Sequence, residues 1–546
     1  MTTYDLGNYG RKISTGSAEA QTWFDRGLVW TYAYNHEEAI ICFEEALKAD
    51  PGCAMAHWGI AYGIGPNYNK PWEAFEPEEQ PQALDTARAA LAKAQAAEAG
   101  PVERALIDAL AHRYPENAEI DSFEPWNDAY ADAMRKLHQA YPDDLDVTAL
   151  FAEAIMNRTP WALWDLPTGQ PAEGADTAEA IAVLDRAFDT DPAAWTHPGL
   201  LHMYIHLMEM SPHPERALRQ GDALTPLVPD AGHLVHMATH IDVLCGDYQN
   251  VVARNQAAVA VDRKYLAARG TDNFYTLYRC HNYHFVIYGA MFLGQPEPAL
   301  AAAAELMETL PPDTLRPMAD WFEGFVPMRQ HVLVRFGLWE EILNQDLPED
   351  AALYCTTVAM MRYARTIALA NLGRTDEAET ELAAFEAARA AVPDTRMLFN
   401  NTCPDILAVA RQMAMGELAY HQRRFDDSFA ALREAVRLDD TLPYDEPWAW
   451  MQPVRHALGA LLLEQGQIEE AEAVYRADLG LDATLSRACQ HPDNLWSLHG
   501  LVECLTRRGA ADTPEALLLR QRLDRALSRA TVPVRASCYC RGRQAA

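Results

Sequence analysis

The sequence has no cysteine pair spaced as CxxC, no basic tract and no apolar run of about 18 residues. Its ten cysteines are scattered, and only Cys538 and Cys540 lie close together, in a tail that reads as frayed. Neither a zinc ribbon nor a disulfide framework is therefore expected. The lack of a long apolar run excludes a membrane-spanning helix, and the opening stretch MTTYDLGNYGRKIS has no apolar leader segment. A reduced, cytoplasmic protein is the expectation. Positive charge is also scarce: Lys and Arg total 45 against 78 Asp and Glu, a net charge of −33 at pH 7. Such a surface repels phosphate backbones, so nucleic acid is excluded as a partner. Solubility accounts for the acidity, with a cationic ligand or partner as the sharper alternative. GxxxxGK[ST], HExxH and GxSxG are missing, as is a GxGxxG after a strand, so nucleotide-binding folds and those hydrolase motifs are unsupported.

What is abundant points to helix. Alanine is plentiful, β-branched runs are few, and 49% of residues are hydrophobic, enough for a packed all-α chain. A period then emerges. With Ala20 as position 1, Trp23 falls at 4, Gly27 at 8, Ala39 at 20, Phe43 at 24, Ala46 at 27 and Pro51 at 32. Small residues at 8 and 20 let two helices approach, while Trp23 and Phe43 fill the space between pairs. A turn glycine five residues before position 20 recurs as Gly246, Gly294, Gly373 and Gly466, and Gly459, Ala471 and Tyr475 repeat positions 8, 20 and 24.

This pattern resembles the tetratricopeptide-repeat (TPR) family over most of the chain. The resemblance implies an all-α solenoid of helical hairpins, a right-handed superhelix whose first helices line a concave groove. Three segments are expected: 1–157 with an irregular aromatic loop, 158–345 rich in histidine, and 346–546 ending in capping helices. Residues 63–82 and 158–176 are too rich in Pro and Gly for regular helix. Their Trp and Tyr content makes them candidate groove-lining loops.

Histidines concentrate between 197 and 284. His202 and His206 occupy positions 5 and 9 of one repeat, and His236 and His240 the same positions of the next, an offset of 34 in each case. His233 and His281 take position 2 of their repeats, His284 position 5, and Glu209 position 12. By the TPR resemblance, all of these face the groove. Residues four apart are rotated by only about 40° on a helix, so HxxxH presents two imidazoles on one face. Neighbouring helices about 8–10 Å apart bring two such faces within reach of one ion. Inward-facing His and Glu pairs are how helical bundles build dinuclear centres. The expected ligands are His202, His206, His233, His236, His240, His281 and His284, with Glu209 and Tyr204 as catalytic candidates. Zinc, iron, manganese and copper all suit mostly-imidazole ligation. Asp242 and Asp262 are candidate acceptors for the outer imidazole N–H groups. His331 and His456 fall on positions 9 and 5 and rank second; His57 counts to the packing side, and His213 to a turn. Trp448, Trp450 and Arg455 read as packed residues of a capping repeat, with binding of an anionic or aromatic group as the alternative.

CHNYH at 280–284 resembles the CHNYWH element of the tetratricopeptide repeat protein 38 family, and AGHLVHMATHI and PWAWMQPVRHALGALL are similar to stretches of bacterial TPR proteins. These resemblances carry fold, not activity. Two functions are expected to compete: a metal-dependent enzyme activating water or oxygen on a small substrate in the groove, and a TPR scaffold binding a peptide or protein there.

Overall fold

The computed structural model describes residues 4–115 and 122–541. The chain is all-α and of the helical-hairpin solenoid class, its β-structure among the described residues amounting to two short antiparallel pairs and one isolated bridge. No helix among the described residues is long and apolar enough to cross a membrane. The chain divides into two compact units: Met1–Ile241 with Ala260–Tyr275, and Asp242–Val259 with Thr276–Ala546.

The first unit opens on the hairpin read from the consensus. Helix α1 (Ala18–Tyr32) starts where Ser17 accepts the Ala20 N–H, and α2 (His36–Ala49) where Asn35 accepts that of Glu38. Ala20, Ala39, Phe43 and Ala46 are fully buried. The reason for glycine at position 8 is direct. A Cβ on Gly27 would stand 2.5 Å from the Phe43 ring, and one on Gly59, in the next helix, 2.6 Å from the same ring. Phe43 is thus clamped between two backbones. Two later helices matter for the site, α3 (Pro198–Glu209) and α4 (Gly232–Leu244).

The irregular segments are as expected non-helical at their centres. Residues 63–82 hold the Asn67–Lys70 bridge and a short 3-10 turn at Trp72–Ala74, and Trp164–Asp165 pairs with Gln170–Pro171 inside 158–176.

The second unit repeats the hairpin theme, with Tyr475 against Gly459 as Phe43 is against Gly27. Its tail corrects the expectation of fraying. Ser537 is buried, its hydroxyl shares a hydrogen bond with the Tyr475 hydroxyl (2.6 Å) and donates to the His456 carbonyl (2.8 Å), and Arg541 pairs with Glu503 at 2.8 Å. Short-range polarity suggested a loose end; long-range polar partners pin it. Cys538 and Cys540 are bonded to each other, one local link and no framework. Trp448 and Trp450 are packed as read, the Trp448 indole N–H donating to Asp439.

Gly59→Ala should lower stability by about 1–3 kcal/mol through overpacking against Phe43. Gly16→Ala, with nothing within 4 Å of its Cβ, should leave the urea midpoint unchanged. Equal midpoints for the two variants would contradict the clamp.

Candidate metal centre

Helices α3 and α4 both belong to the part of the chain that carries the one-repeat histidine register. His197 begins α3 by accepting the Leu200 N–H at its Nδ1, and its Nε2 faces Asp146 at 3.3 Å. Asp146 also accepts the Tyr32 and Tyr9 hydroxyls, each at 2.6 Å. Those bonds and the neighbouring His197 and Arg11 hold its carboxyl well below the usual range, although burial acts the other way. The start of α3 and the end of α1 are thereby tied to one carboxylate, which sets the Tyr32 backbone beside α3.

His202, His206, His233, His236, His240 and Glu209 are all buried, none more than 1% exposed. The donor atoms of His202, His206 and His233 lie within 4.8 Å of one another, and so do those of His206, Glu209 and His240. The histidine groups are therefore arranged so that they can hold a metal ion.

Hydrogen bonding fixes which nitrogen is available. His202 Nδ1 is 2.7 Å from the Tyr32 carbonyl, which can only accept, so Nδ1 carries the proton and Nε2 the lone pair. Glu209 takes two such protons at once: His206 Nδ1 donates to Oε1 at 3.0 Å and His240 Nδ1 to Oε2 at 2.9 Å. The Thr239 hydroxyl lies 2.7 Å from the His236 carbonyl and 3.3 Å from His236 Nδ1. Three imidazoles, His202, His206 and His240, are thus anchored at Nδ1. Two of the freed nitrogens, His202 Nε2 and His206 Nε2, are buried without a hydrogen-bond partner among the described residues. The third, His240 Nε2, accepts from His236 Nε2 at 2.7 Å. An outer N–H held by a carbonyl or carboxylate is the arrangement that fixes a metal-binding imidazole.

Burial keeps these rings neutral, the form that ligates. It lowers His202 to about 3, and it is the largest cause lowering His206 and His233 well below the usual value.

Aromatic rings close round the imidazoles. Tyr34 packs on His202 at 4.6 Å and stacks on His206 and His233 at 6.0 Å. Tyr68 and Trp161, from the two irregular loops, approach His206 at 5.0 and 5.9 Å. These loops do supply part of the wall expected of them. Tyr34 itself was missed, yet it leaves a trace. It occupies the repeat position where Gly246, Gly294, Gly373 and Gly466 all take positive φ, and it takes φ 55° there. A tyrosine held in the left-handed region costs strain of order 1 kcal/mol and points to a role for the ring. Arg423 breaks the same rule with φ 63°, so the trace alone does not single out a site.

The remaining candidates fall as follows. Tyr204 turns to the other side of α3: its hydroxyl donates to Asp185 at 2.8 Å and its ring meets Phe188. Two residues from His202, it shares neither of the faces that HxxxH uses. Asp262 accepts the Tyr275 hydroxyl (2.8 Å), which itself accepts the His233 N–H (3.2 Å), so it secures the start of α4. Asp242 pairs with Arg254. The Nδ1 protons of His202, His206 and His240 go to the Tyr32 carbonyl and Glu209. His57 bonds the Pro51 carbonyl, and His213 sits exposed beside Glu215.

In the second unit, His281 packs on Phe285 and Phe399, and His284 lies 2.8 Å from the Met451 sulfur. His331 meets the Trp450 edge at 4.9 Å. His456 shares Asp478 with His491, Asn494 and Ser497. This is a network whose partners satisfy one another.

The hairpin of α1 and α2 has the spacing and packing of one tetratricopeptide repeat within an all-helical hairpin chain. Residues 20–53 match the tetratricopeptide repeat family model. Among solved structures, a monomeric mutant of IFIT1 with Gppp-AAAA is similar at 11% identity and TM-score 0.29, covering 94% of this chain and 91% of that one. The Naa15/Naa10 complex bound to HypK-THB gives 14% and 0.22, covering 93% and 74%. The Cut9–Hcn1 hetero-tetramer gives 11% and 0.24, covering 93% and 96%. No curated protein matches the sequence.

Acid should destabilise the fold before it protonates the site. His202 has a native pKa of about 3 against 6.5 for the ordinary side chain, so the unfolded chain binds more protons between those values. Its contribution is fully present above pH 6.5 and is lost progressively as pH falls towards 3. Urea midpoints measured from about pH 7 down to 4 should fall steadily. A flat profile would show that the imidazoles are not buried neutral.

Proposed function

We propose that the first unit holds a divalent transition metal on His202, His206, His233, His236 and His240, as one or two ions. The observation that carries this reading is the tautomer pattern: three buried imidazoles anchored at Nδ1, two of them with an Nε2 that has no hydrogen-bond partner among the described residues. Burying the Nε2 atoms of His202 and His206 without a ligand costs free energy at each one. Such an ion activates water or oxygen, and the reading is of an enzyme acting on a small substrate there. Zinc, iron and copper fit an all-imidazole set; manganese, which prefers oxygen, fits less well once Glu209 has both oxygens on imidazole N–H groups. Glu209 then acts as the positioning residue for His206 and His240. The aromatic wall of Tyr34, Tyr68 and Trp161 restricts entry to small molecules. The alternative, a scaffold with a peptide in the groove, draws on the repeat match at 20–53. It is disfavoured because the groove-position histidines are buried, beyond reach of a peptide lying on a surface.

Protein purified without an affinity tag should contain close to one or two metal ions per chain by elemental analysis. His206→Ala and His240→Ala should each lower occupancy. Glu209→Gln, which still accepts through only one oxygen, should weaken binding about 10–100-fold without abolishing it. Full occupancy in both alanine variants would place the ligands elsewhere.

A further inference from the structure

The first unit buries a second polar cluster that the metal reading does not use. Arg113 is 2% exposed, Glu153 4% and Asn157 3%. The guanidinium lies over Tyr130 at 4.2 Å and Tyr62 at 4.9 Å, so two rings cover its faces and leave its N–H edge. One amino group of that edge is engaged, Nη1 donating to the Pro66 carbonyl at 3.1 Å. The other, Nη2, has no hydrogen-bond partner among the described residues, and neither has Glu153 Oε1 or Asn157 Oδ1. Nη2 stands 3.9 Å from Glu153 Oε2, beyond hydrogen-bonding reach, while Oε2 takes the Tyr62 hydroxyl. Burial pushes Glu153 up to about 8, which leaves its carboxyl protonated at neutral pH. Glu153 and Asn157 are four apart, at the end of helix Leu145–Met156, and so share a face.

A buried cation with an open N–H edge, a neutral carboxyl and an amide make a donor set. The Asn157 amide presents N–H by a half-turn. We infer that Arg113, Glu153 and Asn157 form an anion subsite for the carboxylate of a small molecule, one aromatic layer from the histidine centre. The planar fork of arginine matches a carboxylate with two parallel hydrogen bonds. Glu153 and Asn157 supply the further donors that a desolvated anion needs. The layer between is Tyr68, whose backbone N–H serves Glu153 and whose ring lies 5.0 Å from that of His206. The same loop delivers the Pro66 carbonyl to Arg113. A molecule held here by its carboxylate presents its remainder to the imidazoles. The substrate class is therefore a small carboxylic acid; its role as substrate rests on the metal reading, its binding does not.

The test is calorimetric titration of sodium malonate into metal-depleted full-length protein, with sodium phosphate and sodium chloride titrated in parallel. Wild type should bind malonate saturably. Arg113→Lys, which keeps the charge and loses the fork, should weaken it by about tenfold or more. Asn157→Ala, at a helix end, should weaken it less and guards against misfolding at position 113. Circular dichroism and unfolding midpoints establish that each variant is folded. Absence of malonate binding at roughly 50 mM would overturn the subsite. So would equal affinity in folded Arg113→Lys, or phosphate binding tighter than malonate. Metal content is read separately on the reconstituted protein: malonate binding without metal uptake would sink the metal reading and leave the subsite standing.

Discussion

Glu209 is the residue on which the centre depends. One carboxylate takes an Nδ1 proton from His206 on its own helix and another from His240 on the next, 34 residues later than His206. With both oxygens so occupied, it fixes two tautomers and two ring orientations and ties α3 to α4 at the site itself. Remove that bridge and each imidazole is free to turn its other nitrogen inward. It is a small lever with a long reach, because the repeat places identical faces side by side.

The same repeat explains why a polar cluster can be buried here. Helices that meet at glycine and alanine, as around Phe43, pack closely enough to exclude water. In such surroundings the imidazoles stay neutral and keep lone pairs for a cation, whereas charged imidazoles crowded together would repel. The price is that each Nδ1 proton must find a fixed acceptor, and the Tyr32 carbonyl and Glu209 provide them for His202, His206 and His240. The tie from Asp146 to Tyr32 and His197 extends this order back to the first hairpin.

The hairpin register was legible because it is local. Ala20, Gly27, Ala39 and Phe43 declare a helix pair by spacing alone, and the offset between His202/His206 and His236/His240 follows by counting. Glu209 was legible as a neighbour of His206, but not as a bridge, since its second bond depends on the packing of two helices. Tyr32 was invisible for a deeper reason: its contribution is a backbone carbonyl, to which its residue type gives no clue. Tyr204 misled because sequence proximity to His202 and His206 says nothing of helix face. Arg113, Glu153 and Asn157 carry no motif; only folding brings a residue after one helix beside the face of another. The tail at Ser537 was read as loose for the same lack of long-range information.

The most direct measurement is an X-ray absorption spectrum of the metal in natively purified protein. The account predicts a shell of nitrogen or oxygen ligands alone, at about 2.0–2.1 Å for zinc, with the outer-shell scattering of at least three imidazoles. A spectrum dominated by sulfur, or one without imidazole scattering, would contradict it.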